Sequence, residues 1–177
     1  MAIICESVLR ISGSFTELDR FSEQASGPDC CLDANQFAPY PKIFDILDKL
    51  NPSDLTCYRD NMSDEEIGIL TLARLNGLDI TKSGYNQGGS EWCESNWGFR
   101  TNIPTCYKSW NKRTIIYSFH TEWTPPIKLV IAMGEQFPKL FFMLSYRSFE
   151  SLNGILKITS FLNGTLKITG GKIIEKR

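Results

Sequence analysis

The single histidine, His120, stands two residues before Glu122 in the stretch YSFHTEW. On a strand, residues two apart share a face and lie near one another. An imidazole beside a carboxylate can move a proton, and arginines on neighbouring strands would add an anion site. Arg10 and Arg147 lie in strand-like segments. His120, Glu122 and Arg147 therefore form one candidate set for binding a ligand or partner; the competing reading is the solvated face of a sheet. A second set lies in WCESNWGFR, residues 92–100, which holds two of the chain's four tryptophans. Gly98 permits a tight turn or a close backbone approach there. Trp92, Asn96, Trp97 and Arg100 are candidate contacts at a pocket wall. In the alternative, the tryptophans form a latch that pins an insertion onto the sheet.

Other chemistry finds little support. The six cysteines contain no CxxC pair, and His120 is the only histidine. The usual ligand spacing of a structural zinc site is absent, so neither a metal nor a cofactor is expected. Cys93 or Cys106 with His120 would make a minimal Cys–His pair, but no signature surrounds either thiol. His-x-Glu opens the zinc deaminase signature, yet the accompanying Pro-Cys-x-x-Cys is missing. GYNQGGSE has glycines without GxxxxGK[ST]. No catalytic residue is assigned, and a non-enzymatic module is the leading expectation.

The elements that must position these residues follow from composition and periodicity. A chain of 177 residues, 42% hydrophobic and 22% charged, fits one compact soluble domain. The net charge of −1 hides an asymmetry: residues 1–91 hold 15 acidic and 7 basic residues, residues 92–177 hold 5 and 12. The start, MAIICESVLRISGS, lacks a basic n-region and its apolar run is broken at Glu6 and Arg10. A secretory signal is not expected, nor a membrane span. A cytoplasmic protein with reduced thiols is expected.

SVLRIS, 7–12, alternates as a half-buried strand. Ser14 and Glu17 suggest a capping box for a helix that Gly27-Pro28 stops. PKIFDILDKL, 41–50, has a weak helical pattern. SDEEIGILTLARLNG, 63–77, has a stronger one, with a capping box at Ser63 and Glu66 and an Asn76-Gly77 stop. Residues 80–91 read as a loop. RTIIYSFHTEW, 113–123, alternates, with Ile115, Tyr117, Phe119 and Trp123 on the core side. IKLVIAMGEQF is helical behind Pro125-Pro126, and KLFFMLSYR, 139–147, is a strand. A further strand is expected within 97–108, paired to 113–123 across SWNK. LNGILKIT, 152–159, recurs as LNGTLKIT at 162–169, with Asn-Gly hairpin signals.

The order is strand, helix, insertion, strand, strand, helix, strand. It predicts an α+β fold: a ferredoxin-like, split βαβ antiparallel sheet with helices on one face. Within a single domain 1–177, residues 1–27 supply the first strand and helix. Residues 28–91 form a helical or irregular insertion, 92–150 the remaining core elements, and 151–177 a repeated β-hairpin extension.

CESVLRISG, FAPYP, EWCESNWGFR, YSFHTEWTPP and FPKLFFMLSY together resemble the YubB-type ferredoxin-like proteins of bacteria, plasmids and phages, over roughly residues 4–147. The resemblance implies the fold and a setting on mobile elements. That family has no assigned function, so it supplies no catalytic residues. Phe99, His120 and the duplicated tail depart from its pattern. The functional expectation is a module for protein–protein interaction or self-assembly, bound to a protein partner or a homo-oligomer. Two alternatives stand beside it. One is nucleic-acid binding by the basic half, although the open face of 139–147 offers Phe141, Met143, Ser145 and Arg147 with a single aromatic. The other is a small-ligand site or enzyme at the tryptophan stretch and His120/Glu122.

Overall fold

The structure, a computed structural model, describes residues 2–50, 62–152, 155–158 and 164–176. It divides into two compact units, residues 1–39 with 93–177, and residues 40–92.

In the first unit, β1 (Ala2–Ser12) keeps the alternation of its sequence. Cys5, Ser7, Leu9 and Ile11 are buried, while Val8 and Arg10 are exposed. Ser14 caps α1 (Phe15–Ala25) by accepting from the Glu17 N–H at 3.4 Å. The Glu17 carboxylate pairs with Arg20 at 2.8 Å, so only the Ser14 half of the expected box is seen. α1 buries Leu18, Phe21, Ser22 and Ala25.

The second unit is built on α2 (Lys42–Lys49) and α3 (Asp64–Leu75), around Ile46, Leu47, Leu50 and Ala73. The Ser63–Glu66 box is complete at the start of α3, with the Ser63 N–H donating to Glu66 Oε2 at 2.9 Å. The Asp79 carboxyl is held down to about 2 by hydrogen bonds from the Thr81 hydroxyl and N–H and from Lys82. The loop expected over 80–91 instead contains a 3-10 turn (Tyr85–Gln87) and the start of α4 (Gly89–Asn96). Short turns dense in Gly and Ser carry no helical period to read. The insertion is also narrower than expected, because residues 28–39 belong to the first unit.

The rest of the first unit completes the sheet with β2 (Cys106–Asn111), β3 (Thr114–Glu122), α5 (Ile127–Gln136) and β4 (Phe141–Leu152). The tail follows as β5 (Ile155–Ile158), β6 (Gly164–Thr169) and β7 (Lys172–Lys176). The order is β2-β3-β1-β4-β6-β7, with β5 also on β4, and every pairing is antiparallel. Its first four strands, with α1 and α5 as the crossovers, make the split βαβ arrangement. The two helices cover one face. There Phe21 packs edge-on to Tyr117, Phe137 and Phe142, with ring centres 5.0–6.2 Å apart, and stacks on Phe37 at 5.4 Å.

The repeated tail has a definite use. β5 pairs with Phe149–Leu152 and β6 with Phe141–Tyr146, so the two copies lie end to end along the same edge of β4. The Asn-Gly of the first copy and the Leu-Asn of the second lie outside the described residues.

Trp123 departs from the sequence reading. β3 ends at Glu122, and Trp123 adopts φ 68° with 43% of its surface exposed. The Thr121 hydroxyl donates to Thr124 O at 2.7 Å, and the Thr124 N–H donates to Glu122 O at 2.8 Å. This turn breaks the two-residue period, so Trp123 does not follow Phe119 into the core.

Candidate binding surface

The uncovered face of the sheet brings part of the first candidate set together. In register, Glu6 of β1 lies opposite His120 of β3 on one side and Arg147 of β4 on the other. His120 Nε2 stands 3.6 Å from Glu6 Oε1, and Arg147 donates to Glu6 Oε2 at 3.1 Å. The Arg147 guanidinium also lies 4.8 Å from the centre of the Phe149 ring. Glu122 is one strand pair further along, opposite Ile4. Ile4, Glu6, His120, Glu122 and Phe149, with Thr101 and Pro104 on one rim, line a groove of about 310 Å³. The expected partner Arg10 lies two strand pairs beyond Glu6, opposite Ile116 and Met143.

Glu6 is the member of this cluster that the sequence reading missed. The signal was present, since Glu6 alternates with the buried Cys5 and Ser7 and so projects from the open face. Chemically, one carboxylate is shared by an imidazole and a guanidinium, and Glu122 adds a second carboxylate to the groove. Apolar walls with two acids suit a ligand group with an apolar body and a cationic end.

The second set is dispersed. Trp92 lies on α4, edge-on to Tyr40 at 5.8 Å within the second unit. Asn96 is exposed at the end of α4, and Arg100 pairs with Glu94 at 3.4 Å. Trp97 is 2% exposed; its indole donates to Ala38 O at 2.8 Å and its ring lies 5.9 Å from Phe99. Gly98 takes φ +87°, which leaves its carbonyl free to accept from the Thr124 hydroxyl. Lys128 donates to Glu94 O and Ser95 O, closing the C-terminal end of α4 where a cation is favoured. Trp97 thus fastens residues 34–38 inside the first unit.

The outer edge of β2 is a third feature. Among the described residues β2 pairs with β3 alone, and five of its six residues are exposed. Tyr107 is 74% exposed. Trp110 stacks on Phe15 at 5.8 Å, and both rings are partly open to solvent. The Lys108 ammonium is turned inward onto the Ser22 hydroxyl and lies 5.2 Å from the Trp110 ring centre.

The covered face holds a cluster that sequence spacing could not reveal. The sulfurs of Cys30, Cys31 and Cys106 all lie within 4.8 Å of one another. Cys106 opens β2, while Cys30 and Cys31 follow α1, 75 positions from Cys106 in the case of Cys31.

With this geometry in place, comparison with known proteins adds little. No family model matches the chain, and no curated protein matches it. A solved structure titled as a protein api92 from Yersinia pseudotuberculosis, family model DUF1281, is similar at 11% identity and a TM-score of 0.49. The alignment covers 100% of this chain and 98% of that one. No helix among the described residues is long and apolar enough to cross a membrane.

Proposed function

We propose that this chain is a non-enzymatic interaction module that pairs through the free edge of β2 with another protein strand, most simply that of a second copy. The observation that carries the reading is the state of that edge. An unpaired strand offers a row of backbone donors and acceptors to any incoming strand. Exposed lysines commonly blunt such edges. Here the lysine is folded onto Ser22, and Tyr107 and Trp110 are presented instead. Aromatic residues of this kind are enriched at protein interfaces. Pairing of β2 with its own copy would be isologous and would close on itself. The sequence marks across residues 4–147 support placing the chain with the YubB-type proteins and in a cytoplasmic setting. Light scattering after size exclusion at two protein concentrations tests the reading. The wild-type mass is expected to rise with concentration, and Tyr107→Lys with Trp110→Lys is expected to return it to that of one chain. A strict monomer at both concentrations, giving no cross-links through β2, would sink the idea.

A second reading rests on the groove. Its volume is near the lower limit of ligand pockets, and its walls combine apolar groups with convergent acids. It fits an amine with an apolar body. The His120 imidazole resonances, followed during titration with such amines, should move in the wild type and stay still in Glu122→Gln with Glu6→Gln. No movement at millimolar amine counts against it.

A further inference from the structure

The three clustered thiols lie at the junction of two chain segments that are laced together independently of them. The loop after α1 is closed by the Gly27 N–H on Cys30 O at 2.9 Å and by the Asp33 N–H on Ala25 O at 2.8 Å. A side chain at position 27 would meet Asp33 at 2.5 Å, so the loop can close this tightly only on glycine. Asp33 is buried. Its carboxylate accepts from the Asn35 N–H at 3.0 Å, Gln36 Nε2 at 3.1 Å and Asn102 Nδ2 at 2.7 Å. Asn102 in turn accepts from the Ala34 and Ile103 N–H groups at 3.1 and 2.8 Å. Asn102 leads into β2, and the Cys31 thiol donates to Cys106 O at 3.3 Å. Cys30 and Cys31 are therefore held against Cys106 by a scaffold in which no thiol takes part except through that last bond.

A second observation points to a ligand. The Tyr117 hydroxyl is buried beside Cys31, Cys106 and the Ser22 hydroxyl, and it makes no hydrogen bond of ordinary geometry among the described residues. Native proteins seldom leave such a group without a well-formed hydrogen bond. A groove of about 310 Å³ bounded by Pro28, Cys30, Asp33 and Asn102 reaches the cluster at Cys30.

We infer that Cys30, Cys31 and Cys106 form a binding site for a soft divalent metal ion of the zinc and cadmium class, with the Tyr117 hydroxyl beside its open position. A metal about 2.3 Å from three thiolates sets the sulfurs about 3.8–4.0 Å apart, which lies inside the 4.8 Å within which all three are found. Three sulfurs with no imidazole select soft ions over magnesium or calcium. Binding replaces three S–H protons by three metal–sulfur bonds and releases the protons to solvent. The product carries one net negative charge. The ammonium of Lys108, two residues along β2 from Cys106 and 5.9 Å from the Tyr117 ring centre, lies on the same side of the strand to offset it. Burial and then the neighbouring thiols push the Cys106 thiol above its ordinary range.

The test uses the reduced full-length chain and Cd²⁺ alone. Thiolate-to-cadmium charge-transfer absorbance should rise to saturation at one ion per chain, with proton release into weak buffer and with displacement by Zn²⁺. Cys57→Ser, outside the described residues, should keep the band. Cys30→Ser should weaken binding at least about tenfold, the smallest effect expected even for an outer-shell partner. The triple change C30S/C31S/C106S should abolish it. Circular dichroism shows whether each variant is folded, and Cys30→Ser, on a surface loop, decides the matter if the triple variant is not. The proposal is overturned by a wild-type chain without the band, or by a band at full strength in Cys30→Ser. A chain that closes a disulfide within the cluster and takes up no cadmium also overturns it.

Discussion

The two faces of the sheet carry similar chemistry under opposite conditions. On the open face, Glu6, His120 and Arg147 meet across three strands with side chains 43–57% exposed. On the covered face, Asp33 and Tyr117 are buried, and the three thiols beside them are only partly open to water. Exposed ion pairs gain little, because solvent screens the charges and long side chains must be ordered. Buried polar groups lose the full cost of desolvation when a partner is removed. The open-face cluster is therefore cheap to alter and free to serve binding. The covered cluster is tied to the fold, and its chemistry is set by rigid neighbours.

Substitutions on the two faces should separate accordingly. The largest effect is expected at Phe21, where Phe21→Ala removes the ring that joins Tyr117, Phe137 and Phe142. It should cost about 3–5 kcal/mol in denaturant unfolding. Next comes Asp33→Ala, which strips three donors of their acceptor and should cost about 1–3 kcal/mol, more if all three stay dry. It should also loosen Cys30 and Cys31 from Cys106 and so weaken cadmium uptake. A third expectation concerns alkaline pH. Burial raises the Cys106 and Cys5 thiols and the Tyr117 phenol above their ordinary values of 9.0 and 10.0. The folded chain then keeps protons that the unfolded chain gives up. Stability from these groups is complete below about pH 9 and falls as pH rises past it, toward the raised folded values. Melting temperature followed from pH 7 to 11 should decline, and less steeply in Cys106→Ser. The smallest effect is expected on the open face, where Glu6→Gln should change stability by less than about 1 kcal/mol and fade further in high salt. A loss of several kcal/mol there would erase the contrast between the faces.

Much of the framework was legible. Period-two alternation placed β1, β3 and β4, and it correctly put His120 and Glu122 on one face. Periodicity and Pro125-Pro126 marked α5. The start of α4 was not legible, since Gly89-Ser90 reads as a loop. Trp123 was misplaced because a period holds only while the strand continues, and β3 stops one residue earlier.

The candidate sites divide along the same line. Local pattern determined which residues project from the open face, because strand geometry is fixed by the backbone. It also made Glu6 available, although recognising it required the register of β1 against β3 and β4. The tertiary structure alone decided three things. It buried Trp97 onto Ala38, because an indole N–H finds whatever carbonyl packing brings to it. It laid the two tail repeats along one edge of β4, because both copies carry the same strand pattern and the edge is long enough for both. It gathered Cys30, Cys31 and Cys106, whose separation in sequence has no period. Only the return of the chain through β2 places the third thiol beside the first two.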